Sequence, residues 1–73
     1  MALPDRELKT AVIRGPRSIA VLLFYRQYGR MLNAYDLRMQ ADKWAWIITV
    51  DRTGERYRLD DVDRTWTLTR LKN

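Results

Sequence analysis

Strict alternation of side-chain character over Lys43–Asp51 is the feature that most constrains how this chain can fold. Trp44, Trp46, Ile48 and Val50 fall on one side of the segment, and the residues between them fall on the other. A period of two places successive side chains on opposite faces of an extended strand. The segment therefore predicts a strand of a sheet with one strongly apolar face, which another element must cover.

Two further segments with strand character follow, each after a polar turn. The turns are Asp51–Gly54 and Asp60–Asp63, and the strands are Glu55–Asp60 and Arg64–Leu71. Gly54 supplies the positive φ that closes a short hairpin. In the second strand, Arg56 and Arg58 alternate with Tyr57 and Leu59, so the arginines face away from the apolar side. The three strands predict an antiparallel β-meander.

Residues 17–41 supply the cover for that meander. Apolar side chains recur there at helical spacings of three and four: Val21, Phe24, Tyr28, Met31, Leu32, Tyr35 and Met39. We predict an α+β fold in which one amphipathic helix packs on a three-stranded antiparallel meander. Gly29 opposes a continuous helix, because glycine in a helix interior costs about 1 kcal/mol relative to alanine. The alternative is a shorter helix that ends near Tyr28, followed by a strand over residues 31–39 in a four-stranded sheet or small barrel.

The chain as a whole predicts one small domain over residues 1–73. Residues 1–14 are predicted to form a short helix or a partly ordered arm, because Gly15-Pro16 interrupts any longer helix. A core this small depends on aromatic burial. We therefore expect Trp44, Trp46 and Trp66 to lie in the core rather than to stack on nucleic-acid bases.

The composition excludes most catalytic chemistry. The chain has no cysteine and no histidine, so it has no thiolate or imidazole ligands and no Ser–His or Cys–His nucleophile pair. Asp60, Asp61 and Asp63 are close in sequence, but they lack the spacing of a calcium-binding loop and are better explained as turn residues. We expect a protein that is not an enzyme and that has no metal site and no cofactor.

Positive charge is concentrated in the N-terminal half. Residues 1–41 carry seven basic and three acidic residues, whereas residues 42–73 carry seven and six, and the whole chain has a net charge of +5. Such a field favours an anionic partner. The residues predicted to bind that partner are Arg14, Arg17, Arg26 and Arg30. The partner can be nucleic acid, bound through its phosphates, or an acidic protein surface.

The apolar run Ile19–Tyr25 is too short to cross a bilayer. No signal-peptide pattern precedes it. We therefore expect a monomeric cytoplasmic protein with no membrane contact.

The layout of the chain resembles a family of small phage proteins. The start MALPDRELKT, the arginine-rich middle and the closing DRTGERYRLDDVDRTWTLTRL are similar to small regulators that lytic bacteriophages make to take over host RNA polymerase. The resemblance implies binding to bacterial RNA polymerase, inhibition of σ-dependent initiation and read-through of terminators. Direct binding of DNA or RNA, contact with nucleic acid within the polymerase complex, and inhibition of another host protein remain open. No functional position is carried over from the family.

Overall fold

The computed structural model describes residues 6–62 and 65–72. Its elements are α1 (Arg6–Arg14), α2 (Pro16–Tyr28), a 3₁₀ turn (Ala34–Asp36), β1 (Leu37–Asp42), β2 (Ala45–Val50), β3 (Arg56–Val62) and β4 (Thr65–Arg70). The four strands form one antiparallel sheet in the order β1-β2-β3-β4. Of the predicted features, residues 1–5 of the N-terminal arm, Asp63 and Arg64 lie outside the described residues.

The sheet confirms the α+β class and the alternative with four strands, and the prediction of three strands under one long helix is wrong. The first strand covers Leu37–Asp42 and not residues 31–39, because the chain first passes through an irregular stretch and the 3₁₀ turn. The helix ends at Tyr28 because Gly29 adopts the left-handed conformation, with φ 65° and ψ 24°. The N–H of Gly29 donates to the Tyr25 carbonyl at 2.9 Å, and the N–H of Arg30 donates to the Phe24 carbonyl at 3.1 Å. These bonds close the last helical turn and redirect the chain toward β1.

Gly29 offers a direct test of this helix end. Apart from residue 29 and its immediate backbone neighbours, no atom lies within 4 Å of the position that a Cβ would occupy, so the cost of Gly29→Ala comes from the backbone conformation and not from tertiary clashes. We expect the free energy of unfolding to fall by about 1 kcal/mol, measured by urea denaturation. Gly29→Asn should lose less, because asparagine tolerates the left-handed region. Equal stability of the three proteins would contradict this helix end.

The two faces of the sheet differ sharply in character. The strand register places these residues on the face that α2 covers: Leu37, Met39, Ala41, Trp46, Ile48, Val50, Tyr57, Leu59, Asp61, Trp66, Leu68 and Arg70. Arg56 and Arg58 lie on the open face, as predicted. Helix α2 packs on the covered face with Ile19, Ala20, Leu23 and Phe24 buried, and α1 packs against α2 with Ala11 buried.

The core is centred on Phe24 and Tyr57 and not on the tryptophans. These two rings meet edge to face, with centroids 4.6 Å apart, and are among the largest fully buried side chains. Trp46 and Trp66 are only partly buried at the edge of the core. Trp44 is 92% exposed, so its predicted place in the core is wrong. It lies in the tight turn between β1 and β2, beside Lys43 at φ 52°, and β2 begins only after it.

The acidic segment after residue 59 also differs from its prediction as a turn. Strand β3 continues to Val62, so Asp60 and Asp61 are strand residues. Asp60 lies on the open face, where it accepts a hydrogen bond from Arg58 Nε at 3.1 Å. Asp61 alternates with it and lies on the other face. The alternation of the strand therefore separates carboxylates that are adjacent in sequence.

Candidate functional site

An open groove of about 560 Å³ runs between α1 and α2. We call it the α1–α2 groove. It is lined by Arg6, Glu7, Thr10, Ala11, Arg14, Ser18, Val21, Leu22 and Ala34. The groove exists because Gly15, at φ 121°, and Pro16 break the helical path and fold α1 back on α2. It is larger than a second concave surface, of about 330 Å³, that Arg30 and Arg52 help to line.

The α1–α2 groove combines an apolar floor with a cationic rim. Ala11, Val21 and Leu22 supply apolar surface, and the exposed side chains of Arg6 and Arg14 stand beside it. Guanidinium groups bind carboxylates in a planar, bidentate geometry. The arrangement therefore suits a protein segment that presents both carboxylates and apolar side chains.

Two of the four predicted binding arginines lie at one end of this groove. Arg14 lines the groove directly. Arg17 reaches its wall, where Arg17 Nη1 donates to the Ala34 carbonyl at 3.4 Å. Because that contact is exposed and near the distance limit, the charge of Arg17 stays available to a partner. The sequence thus indicated residues that the fold brings to a common surface.

Arg26 is held by an acidic residue of the same groove. Its guanidinium lies 3.3 Å from Glu7 Oε2, and Glu7 is one of the lining residues. The Arg26 side chain is about one-third exposed. A partner carboxylate must therefore compete with Glu7 for Arg26, which makes Arg26 a weaker candidate than Arg14.

Arg30 lies in a different, partly buried cluster. Its guanidinium binds both carboxylate oxygens of Glu55, at 3.3 Å and 3.1 Å, and donates to the Tyr57 hydroxyl at 2.9 Å. The Tyr57 hydroxyl donates in turn to Glu55 at 3.1 Å, and Arg70 lies 3.5 Å from Glu55. We call these four residues the Glu55 cluster. The structure therefore separates Arg30 from the groove and gives it a stabilising contact within the chain.

The pKa values of the Glu55 cluster agree with that structural role. The hydrogen bond from Thr53, at 2.8 Å, and the contacts with Arg30 and Tyr57 hold the pKa of Glu55 below its ordinary value of 4.5, although burial acts in the opposite direction. Burial and the hydrogen bond to Glu55 raise the pKa of Tyr57. Glu55 is therefore ionised and Tyr57 protonated at neutral pH, a state that favours the observed bonds.

The open face of the sheet does not form a stacking platform. Its strand positions carry mainly threonine, arginine and aspartate, and none of those described carries an aromatic ring. Threonines 65, 67 and 69 form an exposed row along β4, beside Arg56 and Arg58 on β3. Base stacking needs exposed rings on such a face. Without such rings, these side chains can contact nucleic acid only through hydrogen bonds and charge, to phosphates or to base edges.

The apolar floor of the groove is the part of the site that sequence reasoning missed. Ala11 and Leu8, three residues apart on α1, pack toward the core, whereas Val12 and Ile13 are exposed. The spacing of Leu8 and Ala11 was the sequence feature that could have indicated an apolar side of α1. Only the turn at Gly15 in the structure shows that this side faces α2. Within the described ranges, no three acidic residues lie close enough together to hold a metal ion, and no helix has the length and apolar content needed to cross a membrane.

Comparison with known proteins adds no identification to this geometry. No protein-family model, curated protein or solved structure matches the chain. The similarity to phage regulators of RNA polymerase therefore stays a prediction from the sequence.

Proposed function

We propose that this protein is a phage-type regulator that acts by binding, docking on bacterial RNA polymerase in the host cytoplasm through the α1–α2 groove. In this proposal it inhibits σ-dependent initiation and promotes read-through of terminators. The observation that carries the docking surface is the pairing of an apolar floor with the exposed cations Arg6, Arg14 and Arg17. The resemblance of the sequence layout supplies the choice of polymerase as the partner.

The groove suggests how such docking works. An acidic surface helix of the polymerase can place apolar side chains against Val21 and Leu22 while its carboxylates meet Arg14 and Arg17. The complementary charges speed the encounter, and the desolvated apolar contact slows dissociation. Occupation of a surface that σ also needs would then block initiation by exclusion.

Charge reversal in the groove is the direct test. Arg14→Glu combined with Arg17→Glu should weaken binding of purified bacterial RNA polymerase at least about 100-fold, because two attractive contacts become repulsive. The measurement is pull-down with the tagged full chain, followed by a titration by biolayer interferometry. Far-UV circular dichroism should show an unchanged fold, because both side chains are exposed.

The matched control reverses the same number of positive charges outside the groove. Arg56→Glu combined with Lys72→Glu changes exposed residues outside the groove and should leave the affinity for polymerase nearly unchanged. Equal loss in the two double variants would show that only net charge matters. Recovery of no polymerase subunit by the wild-type protein would end the proposal.

Direct nucleic-acid binding is the second candidate, and the row of threonines beside Arg56 and Arg58 on the open face favours it. This mode predicts that log K for a DNA or RNA duplex falls by about 0.9 per phosphate neutralised for each tenfold rise in salt. It also predicts that the Arg56→Glu control loses nucleic-acid binding. Binding to polymerase in the absence of nucleic acid would favour the groove instead.

A further inference from the structure

The two edges of the sheet are treated differently by the rest of the chain. The outer edge of β4 is covered at Leu68, whose N–H donates to Gln27 Oε1 at 2.9 Å. The Leu68 carbonyl accepts from Gln27 Nε2 at 3.1 Å and from the Tyr28 hydroxyl at 3.2 Å. The amide of Gln27 thus occupies the place of a neighbouring strand. This cover at the middle of β4 hinders that edge from pairing with another chain.

The outer edge of β1 has no comparable cover. The Asp51 N–H donates to the Asp36 carbonyl. Because residues along an antiparallel strand alternate between bonding to the neighbouring strand and pointing away from it, this bond shows which residues of β1 bond to β2. The backbone groups of Leu37, Met39 and Ala41 consequently point away from β2. The Leu37 N–H is taken by the Ala34 carbonyl. No hydrogen bond within the described part of the chain reaches the outward groups of Met39 and Ala41.

We propose that β1 pairs antiparallel with β1 of a second copy of the chain, in the register centred on Gln40. This makes a symmetric dimer in which the two four-stranded sheets join into one. Met39 of each copy then exchanges backbone hydrogen bonds with Ala41 of the other. The outward groups that are free in one chain satisfy each other across the two-fold axis.

The charges on β1 select this register. Centred on Gln40, the pairing sets Arg38 opposite Asp42 of the second copy, and the two-fold axis repeats that attractive contact. Centred on Met39, it sets Asp36 opposite Asp42, which places like charges together twice. Directly opposed cross-strand charges stabilise or destabilise a sheet according to their signs. Centred on Ala41, it sets Met39 opposite Lys43, which has left the strand at φ 52°.

Exposed aromatic side chains at both ends of β1 support the same arrangement. Tyr35 precedes the strand and is 87% exposed, and Trp44 follows it and is almost fully exposed. In the Gln40-centred register, both side chains lie just outside the paired residues at each end of the seam, where Trp44 of one copy falls opposite Asp36 of the other, the residue next to Tyr35. Large aromatic side chains of this kind are typical interface anchors. This dimer differs from the monomer expected from the sequence and does not depend on any polymerase contact.

Complementary charge variants test the dimer without reference to any other partner. The interface is small, so we expect a Kd on the order of 100 μM for the wild-type chain. Arg38→Glu and Asp42→Lys should each weaken self-association by roughly tenfold or more, because each replaces two attractive contacts with two repulsive ones. Sedimentation equilibrium over a concentration series measures this.

Mixing the two variants gives the decisive result. In a heterodimer of Arg38→Glu with Asp42→Lys, positions 38 and 42 carry opposite charges at both places where they face each other. The mixture should therefore associate at least as strongly as the wild type. Ala41→Pro removes one outward N–H without touching the β1–β2 ladder and should also weaken the dimer. Urea denaturation of each variant checks that the fold persists. A wild-type chain that stays monomeric up to millimolar concentration, or a mixture that associates no better than its components, would overturn the proposal.

Discussion

Phe24→Ala is expected to lower the free energy of unfolding by about 3–5 kcal/mol, the cost of removing a large ring from a packed core. Phe24 is fully buried, and its ring packs against Tyr57 at 4.6 Å and Tyr28 at 6.3 Å between centroids. A domain of 73 residues has a total stability of roughly 4–11 kcal/mol. The substitution should therefore remove a large fraction of the total stability and lower the urea midpoint sharply.

The adjacent residue provides a matched control for Phe24→Ala. Tyr25 is on the same helix and is 57% exposed, so Tyr25→Ala removes a ring of similar size from the surface. Its effect should stay below about 1 kcal/mol, since alanine also favours the helix. Urea denaturation followed by tryptophan fluorescence measures both, because Trp46 and Trp66 lie at the edge of the core. Equal losses in the two variants would contradict the position of α2 on the sheet.

Glu55→Gln is expected to have the second largest effect, a loss of about 2 kcal/mol at pH 7. The change preserves the shape of the side chain but removes the charge that Arg30 and Arg70 face. Removal of one partner from a fully buried ion pair costs about 3–5 kcal/mol. We expect a smaller loss here because the pair is only partly buried: the Arg30 side chain is 32% exposed and the Glu55 side chain is 16% exposed.

The pH dependence distinguishes loss of charge from loss of packing at Glu55. Because the folded pKa of Glu55 is lowered, the unfolded state binds a proton more readily than the folded state. The resulting stabilisation is fully present above about pH 4.5 and is lost as the pH falls through the folded pKa. Glutamine at position 55 cannot titrate, so the stability difference between wild type and variant should shrink in acid.

Denaturation curves from neutral to acidic pH measure that difference. Asp51→Asn is the control, because the ion pair of Asp51 with Arg38 is exposed and should contribute little to stability. A stability gap between wild type and Glu55→Gln that stays constant down to acidic pH would mean that the charge of Glu55 is not what stabilises the cluster.

Local sequence patterns predicted the strands well because side-chain alternation and turn formation depend on residues that are close together in the chain. Alternation marks a half-buried strand whatever surrounds it, and Gly54 at φ 75° closes the predicted turn between β2 and β3. Residues 31–39 satisfied both the helical and the strand period, so the pattern alone left the choice open. The left-handed Gly29 ends the helix, because a helix cannot continue through that conformation. The strand then begins only at Leu37, after the 3₁₀ turn.

The candidate site was only partly predictable, because charge can be counted along the chain but proximity cannot. The surplus of arginine in the first half indicated Arg14 and Arg17, which the fold brings to one end of the groove. Arg30 carries the same charge and lies in the same half. Its partner Glu55 is 25 residues away and is brought to it only by the packing of β3 beneath α2.

The sequence by itself determined the α+β class, the antiparallel order of the last three strands and the excess of positive charge, because periodicity, turn chemistry and composition act over a few residues. Tertiary structure alone decided which arginines are available, that Trp44 lies at a turn tip while Phe24 and Tyr57 form the core, and that one sheet edge is covered while the other is open. Those outcomes depend on contacts between segments distant in the chain, where burial and pairing outweigh local preference.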